Sequence, residues 1–130
     1  MSIRQQIADC YAAYAARDIE GTMALFADNV CFDWPTSPDQ ARWSGCSEGR
    51  DAMIERLGSL ASQFDFLDVQ LIDLIVDGDK AAARVAMTLR NKNTGAEFTN
   101  QSGHFWRFEN DKCVELTEYY DTALVNAHTD

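Results

Sequence analysis

Apolar residues recur at three- and four-residue steps through the first fifteen positions. In SIRQQIADCYAAYAARD, Ile3, Ile7, Cys10, Tyr11 and Tyr14 fall on one face, the spacing of an amphipathic helix. Ser2 is placed to cap it, and its alanines favour it. RDIEGTMALFADNV predicts a second, shorter helix, capped by Asp18 and burying Ile19, Met23 and Phe26. The pattern then changes period. In NVCFDWP, Val30, Phe32 and Trp34 alternate with Cys31 and Asp33, a short strand stopped by Pro35. PTSPDQARWSGCSEG is a polar loop of unusual length, the kind that serves as a lid or mouth. Within it Trp43 is either a lid residue or an anchor. A third helix follows, with Met53, Leu57 and Leu60 inward.

The remainder reads as strands. DFLDVQLIDLIVD, KAAARVAMTLRN and EFTNQSGHFWRFE are separated by the turn signals DGD and KNTG, and a last hairpin turns at NDK. Helix, helix, strand, helix and four antiparallel strands define one α+β domain, with helices on one face of a sheet. A strongly bent sheet of this kind would enclose a cavity. The chain of 130 residues is long enough for one real core.

The final hairpin carries the candidate chemistry. With Glu109 opposite Cys113, opposed positions sum to 222. Phe108 then faces Val114, Trp106 faces Leu116 and His104 faces Glu118, all on one apolar face. The other face holds Phe105, Arg107, Glu109, Cys113, Glu115, Thr117 and Tyr119. Opposed residues have Cβ atoms about 4.5–5.5 Å apart, so an imidazole and a carboxyl can meet. In an apolar surround such a pair suits proton transfer; it equally suits a core in which two polar groups satisfy each other. Trp34, Trp43 and Trp106 are candidate aromatic walls for a planar ligand. Asp33 is either a residue of a pocket mouth or a surface acid. Tyr14 is either core or a hydroxyl aimed inward, and Asp121 reads as the cap of TALVNA.

Charge narrows the partners. Eleven basic against twenty-one acidic residues give a net charge of −10, and no basic patch offers phosphate contacts, so nucleic acid is not expected. No apolar run reaches membrane-spanning length, and the opening MSIRQQIADC lacks the features of a signal peptide, so a cytoplasmic protein without membrane association is expected. Four cysteines, Cys10, Cys31, Cys46 and Cys113, fit no metal or redox spacing and are expected to be reduced thiols, mostly core filler. His104 and His128 are far apart, and His128 falls in a polar tail expected to fray. No metal site and no organic cofactor are expected.

AARDIEGTMALFADNVCFDWP, SEGRDAMIERL and EYYDTALV resemble the SnoaL-like and ketosteroid-isomerase-like families of the nuclear-transport-factor-2-like superfamily. The resemblance covers nearly all of residues 1–130 as a single domain. It implies a cone-shaped curved antiparallel sheet wrapped by three N-terminal helices, a cystatin-like α+β barrel, with one deep hydrophobic pocket and a homodimer built on the outer face of the sheet. Steroid isomerases place an Asp base just before the proline that ends the first strand. Here Trp34 stands there, and their oxyanion pair falls on Cys10 and His104, so that site is absent. The resemblance to polyketide cyclases instead implies a carboxylate base on the last strand, Glu118, with His104 on the strand before it. The expected function is an isomerase- or cyclase-type enzyme that abstracts a proton alpha to a carbonyl of a small apolar substrate. Glu118 and His104 would be catalytic, and Trp34, Trp106, Tyr14, Leu116, Phe108 and Asp33 would bind substrate. The alternatives are a non-catalytic binder of a small hydrophobic ligand and a dimeric interaction module.

Overall fold

A computed structural model describes residues 1–39 and 41–129. Three helices precede most of the sheet: α1 (Ile3–Ala15), α2 (Ile19–Met23) and, after the first two strands, α3 (Arg50–Gln63). The strands are β1 (Phe26–Trp34), β2 (Gly45–Glu48), β3 (Phe64–Asp77), β4 (Lys80–Asn91), β5 (Glu97–Glu109) and β6 (Lys112–Tyr120), and a short α4 (Thr122–Ala127) follows. Ser2 caps α1, Asp18 caps α2 and Asp121 caps α4, each side chain accepting from a backbone N–H three residues on.

The six strands form one curved, unclosed sheet in the order β2-β1-β6-β5-β4-β3. Two features differ from the expected sheet. The long loop contains a strand, β2, which pairs antiparallel with β1. The sheet is also mixed, because β1 runs parallel to β6. Parallel neighbours need a long crossover, and almost the entire chain between β1 and β6 supplies it. This pairing brings the first strand against the last and sets Phe32 beside Leu116.

Helix α1 packs on β3, and α3 packs on β1, β2 and β3, so both cover one face of the sheet. Beneath them Ile7, Val30, Phe32, Met53, Phe64 and Trp106 are buried in one apolar cluster. Helix α2 departs from expectation: Met23 is buried, Ile19 is exposed, and Phe26 belongs to β1 rather than to the helix. His128 is packed rather than frayed. The His128 ring stacks on Phe98 at 4.4 Å, and its carbonyl accepts from the Asn91 side chain at 2.6 Å.

The last hairpin shows how register is set. His104 pairs with Glu118 and Trp106 with Leu116, as expected. The turn, however, is two residues long. Glu109 pairs with Lys112, and both Asn110 and Asp111 have positive φ, the conformation that suits the strand twist. A bulge between Arg107 and Phe108 absorbs the difference, and Phe108 pairs with Cys113 rather than Val114. Cys113 therefore turns into the core instead of outward.

Candidate functional site

Three elements far apart in sequence converge on His104. The imidazole is 1% exposed, on a strand whose residues alternate buried and open. Its Nδ1 lies 2.5 Å from the Tyr11 hydroxyl and 3.4 Å from the carboxylate oxygen Oε2 of Glu118. The other carboxylate oxygen, Oε1, accepts a 2.8 Å hydrogen bond from the indole N–H of Trp34. Tyr11 comes from α1, Trp34 from β1, His104 from β5 and Glu118 from β6. The Glu118 side chain is 17% exposed.

Burial is the largest influence on each neutral partner. It pushes His104 below the usual histidine range, partly offset by the Glu118 charge, so at neutral pH the ring is uncharged. It pushes the Tyr11 phenol well above its ordinary value, with the Glu118 charge adding to the rise. Tyr14 and Cys10 rise for the same two reasons in the same order. Glu118 is thus the charge that the inward-facing groups feel.

That charge also selects a tautomer. An Nδ1 lone pair aimed at an ionised carboxylate is repelled; an Nδ1–H is attracted. With the proton on Nδ1, the ring donates toward Tyr11 and Glu118 together, and the Tyr11 O–H is free to turn elsewhere. Close by is the Trp106 indole, edge-on to Tyr11 at 5.8 Å; its buried N–H makes no close hydrogen bond but lies near enough to the Tyr11 oxygen to lower the phenol slightly against the effect of burial.

Arg56 of α3 completes the frame. Its guanidinium lies 4.5 Å from the centre of the Trp34 ring and donates to the Phe32 carbonyl at 2.8 Å. A cation on the indole face holds Trp34 in place and polarises its N–H toward Glu118.

Two adjoining cavities of about 60 Å³ each lie under the helices. The first is lined by His104, Trp43, Phe66 and Tyr120 among others, the second by Tyr11, Tyr14, Trp106 and Leu116 among others. Glu118, Trp34, Leu60 and Met87 line both. Each has room for about four to six water molecules. Trp43 is both wall and anchor, its N–H donating to Ser59 at 3.1 Å.

The residues expected at the site are thus distributed unequally. His104, Glu118, Trp34, Trp106, Tyr14 and Leu116 line the interior. Phe108 lines neither cavity; it stacks behind Trp106 at 6.2 Å and belongs to the core. Asp33 also lines neither, because it alternates with the buried Phe32 and Trp34 and pairs with Cys46 on the edge strand. In the sequence Tyr11 stands on a helical apolar face, beside the position where the steroid-isomerase resemblance puts a Tyr, and is given no role. The missed signal was a buried phenol needing a polar partner. Among the described residues no group of three or more His, Cys, Asp or Glu is arranged to hold a metal ion. Among the described residues no helix is long and apolar enough to cross a membrane.

A curved, unclosed six-strand sheet covered by N-terminal helices defines a class of folds, and comparison with known proteins agrees on the fold. The chain belongs to the SnoaL-like domain family, whose model matches residues 7–116. No curated protein matches it. Among solved structures it is similar to a protein of unknown function from Burkholderia pseudomallei, described as NTF2-like. That match has a TM-score of 0.86 and 24% identity over 99% of this chain and 98% of the other. A second NTF2-like protein, from Burkholderia thailandensis, has a TM-score of 0.82 and 25% identity over 95% of this chain and 94% of the other. A protein from Mesorhizobium loti, provisionally named a SnoaL-like polyketide cyclase, has a TM-score of 0.75 and 20% identity over 92% of this chain and all of the other.

Proposed function

We propose that this chain binds a small, largely apolar carbonyl compound inside the cone and removes a proton alpha to the carbonyl, as an isomerase or cyclase would. One observation carries the reading: Glu118 forms part of the wall of both cavities. A guest larger than a few waters must span both, and so must lie against the carboxylate. Glu118 in its ionised form takes the proton. Tyr11, freed by the Nδ1–H of His104, turns its O–H to the oxygen on which charge develops, and the N–H of Trp106 beside it supports the phenol oxygen. His104 stays neutral and holds Tyr11 and Glu118 in register. Trp34, Trp106, Tyr14 and Leu116 pack the apolar body of the guest. The proton is returned from Glu118 to another carbon of the same molecule, so the chemistry needs no redox partner.

The test is alpha-proton exchange. Cyclic ketones and diketones are incubated with the protein in deuterated water and followed by NMR. Exchange should be accelerated by the wild type and fall by about 10²–10⁴-fold in Glu118→Gln. If compounds bind without exchange, and Glu118→Gln changes affinity alone, the protein is a binder without turnover. The apolar side chains around both cavities favour that second reading.

The same reading includes a homodimer. Phe105 and Tyr119, 53% and 51% exposed, meet edge-to-face at 5.8 Å on the outer side of β5 and β6. Sedimentation of the wild type and Phe105→Asp should give a dimer and a monomer respectively.

A further inference from the structure

The cysteines divide into two kinds. Cys10 and Cys113 are buried, whereas Cys31 is half-buried and Cys46 exposed. Cys31 lies on β1 and Cys46 on β2, at the edge of the sheet. Cys31 pairs with Glu48 and Asp33 with Cys46, which makes the two cysteines diagonal neighbours across the pair. Their sulfur atoms are 2.7 Å apart. Unbonded carbon atoms, smaller than sulfur, rest at about 3.5–4.0 Å, and a disulfide requires about 2.05 Å. Closing the bond takes a movement of roughly 0.7 Å, within the play of two side chains on a strand pair already formed.

We propose that Cys31 and Cys46 are a redox site, oxidised by a low-molecular-weight disulfide to a reversible cross-strand disulfide that fastens β2 to β1. Cys46, the more exposed, attacks as thiolate on one sulfur of the small disulfide R–S–S–R and releases R–S⁻. The mixed disulfide on Cys46 is then attacked by the Cys31 thiolate, which releases the second R–S⁻. Two protein thiols become one disulfide, two protons are released to the departing thiolates, and two electrons pass to the oxidant. Cys31 is pushed up to about 12, first by its hydrogen bond with Cys46. Capping Cys46 removes that bond, so the second thiol is released for attack once the first has reacted.

The closed ring spans fifteen residues and includes Trp43, a wall of the first cavity. Oxidation therefore ties the two ends of the segment that carries Trp43.

The experiment uses the folded protein with glutathione disulfide, then acid quenching, alkylation in denaturant and peptide mapping. The titratable thiols should fall from four to two, with a Cys31–Cys46 crosslink that dithiothreitol reverses. The melting temperature should rise by about 10 °C, as expected for a ring of this size in a chain of this length. Cys46→Ser should show neither crosslink nor rise. Persistence of all four thiols would overturn the proposal. So would glutathione adducts on Cys31 or Cys46 without a crosslink between them.

Discussion

Replacing Tyr11 by Phe removes one oxygen atom and leaves the rest of the ring. Tyr11 is 7% exposed and His104 1% exposed, so the lost hydroxyl is not replaced by bulk solvent. The ring still fills its space against Trp106 and the imidazole, so the apolar cost is small. What is lost is a 2.5 Å hydrogen bond to a buried imidazole. A buried polar group deprived of its partner costs about 1–3 kcal/mol. Glu118 at 3.4 Å compensates in part but is too distant and too engaged with Trp34 to replace a short bond. The expected loss is therefore about 2 kcal/mol, or about 6–10 °C in melting temperature for a domain of this size. Urea unfolding should show a lower midpoint with an unchanged slope, because the buried surface hardly changes. Nitrogen NMR of His104 should show the ring tautomer more mixed than in the wild type. Tyr14→Phe is the control, since Tyr14 is half-buried and packs its ring on Phe66. An unchanged midpoint for Tyr11→Phe would refute the view that this bond organises the site, and with it the placing of Tyr11 as a donor.

The remaining predictions concern titration and a turn. His104 is held below its ordinary range, so below about pH 6.5 the unfolded chain takes up a proton that the native ring refuses. Its contribution to stability is complete above that pH and declines as pH falls toward the native value. Wild-type stability should drop more steeply than that of His104→Gln in that window, by up to about 1.4 kcal/mol per pH unit, as read by urea midpoints across pH. Asn91, buried at the end of β4, accepts from the backbone N–H groups of Asn93 and Thr94 and donates to the His128 carbonyl. Asn91→Ala should cost about 2–3 kcal/mol, and hydrogen exchange should speed up in both the β4–β5 turn and α4. Exchange confined to the turn would show that α4 is held by other contacts.

Much of the fold was legible because the local rules agreed with one another. Ser2, Asp18 and Asp121 are capping residues directly before apolar faces, and each caps. Strand alternation in HFWRF placed His104, Trp106 and Phe108 on one side, and they are there. The failures lie where a distant partner decided. GCSE has neither the length nor the apolar residues of a strand, and it is extended because β1 offers it an edge. Cys31 and Cys46 fit no sequence motif because their proximity is made across that same edge. Cys113 was misplaced by a hairpin counted with a three-residue turn. Asn110 and Asp111 both tolerate positive φ, which permits the tighter turn and demands the bulge.

The candidate site follows the same division. His104 and Glu118 belong to one hairpin, so their meeting could be counted from the turn, and the bulge falls on the turn side of them without breaking the count. Trp34 and Tyr11 reach the same carboxylate and imidazole by routes that no hairpin rule covers. Trp34 arrives because β1 runs parallel to β6, a pairing with no turn to announce it. Tyr11 arrives because α1 must bury Ile7 and Cys10 against the sheet, and the next residue on that face is a phenol that cannot be buried alone. Two polar groups from one hairpin would make only a satisfied pair. The hydroxyl brought by the helix and the indole brought by the parallel strand hold the imidazole and carboxylate in fixed positions on the wall of a cavity. On the function proposed above, that fixed arrangement is what would set Glu118 apart from a solvated carboxylate.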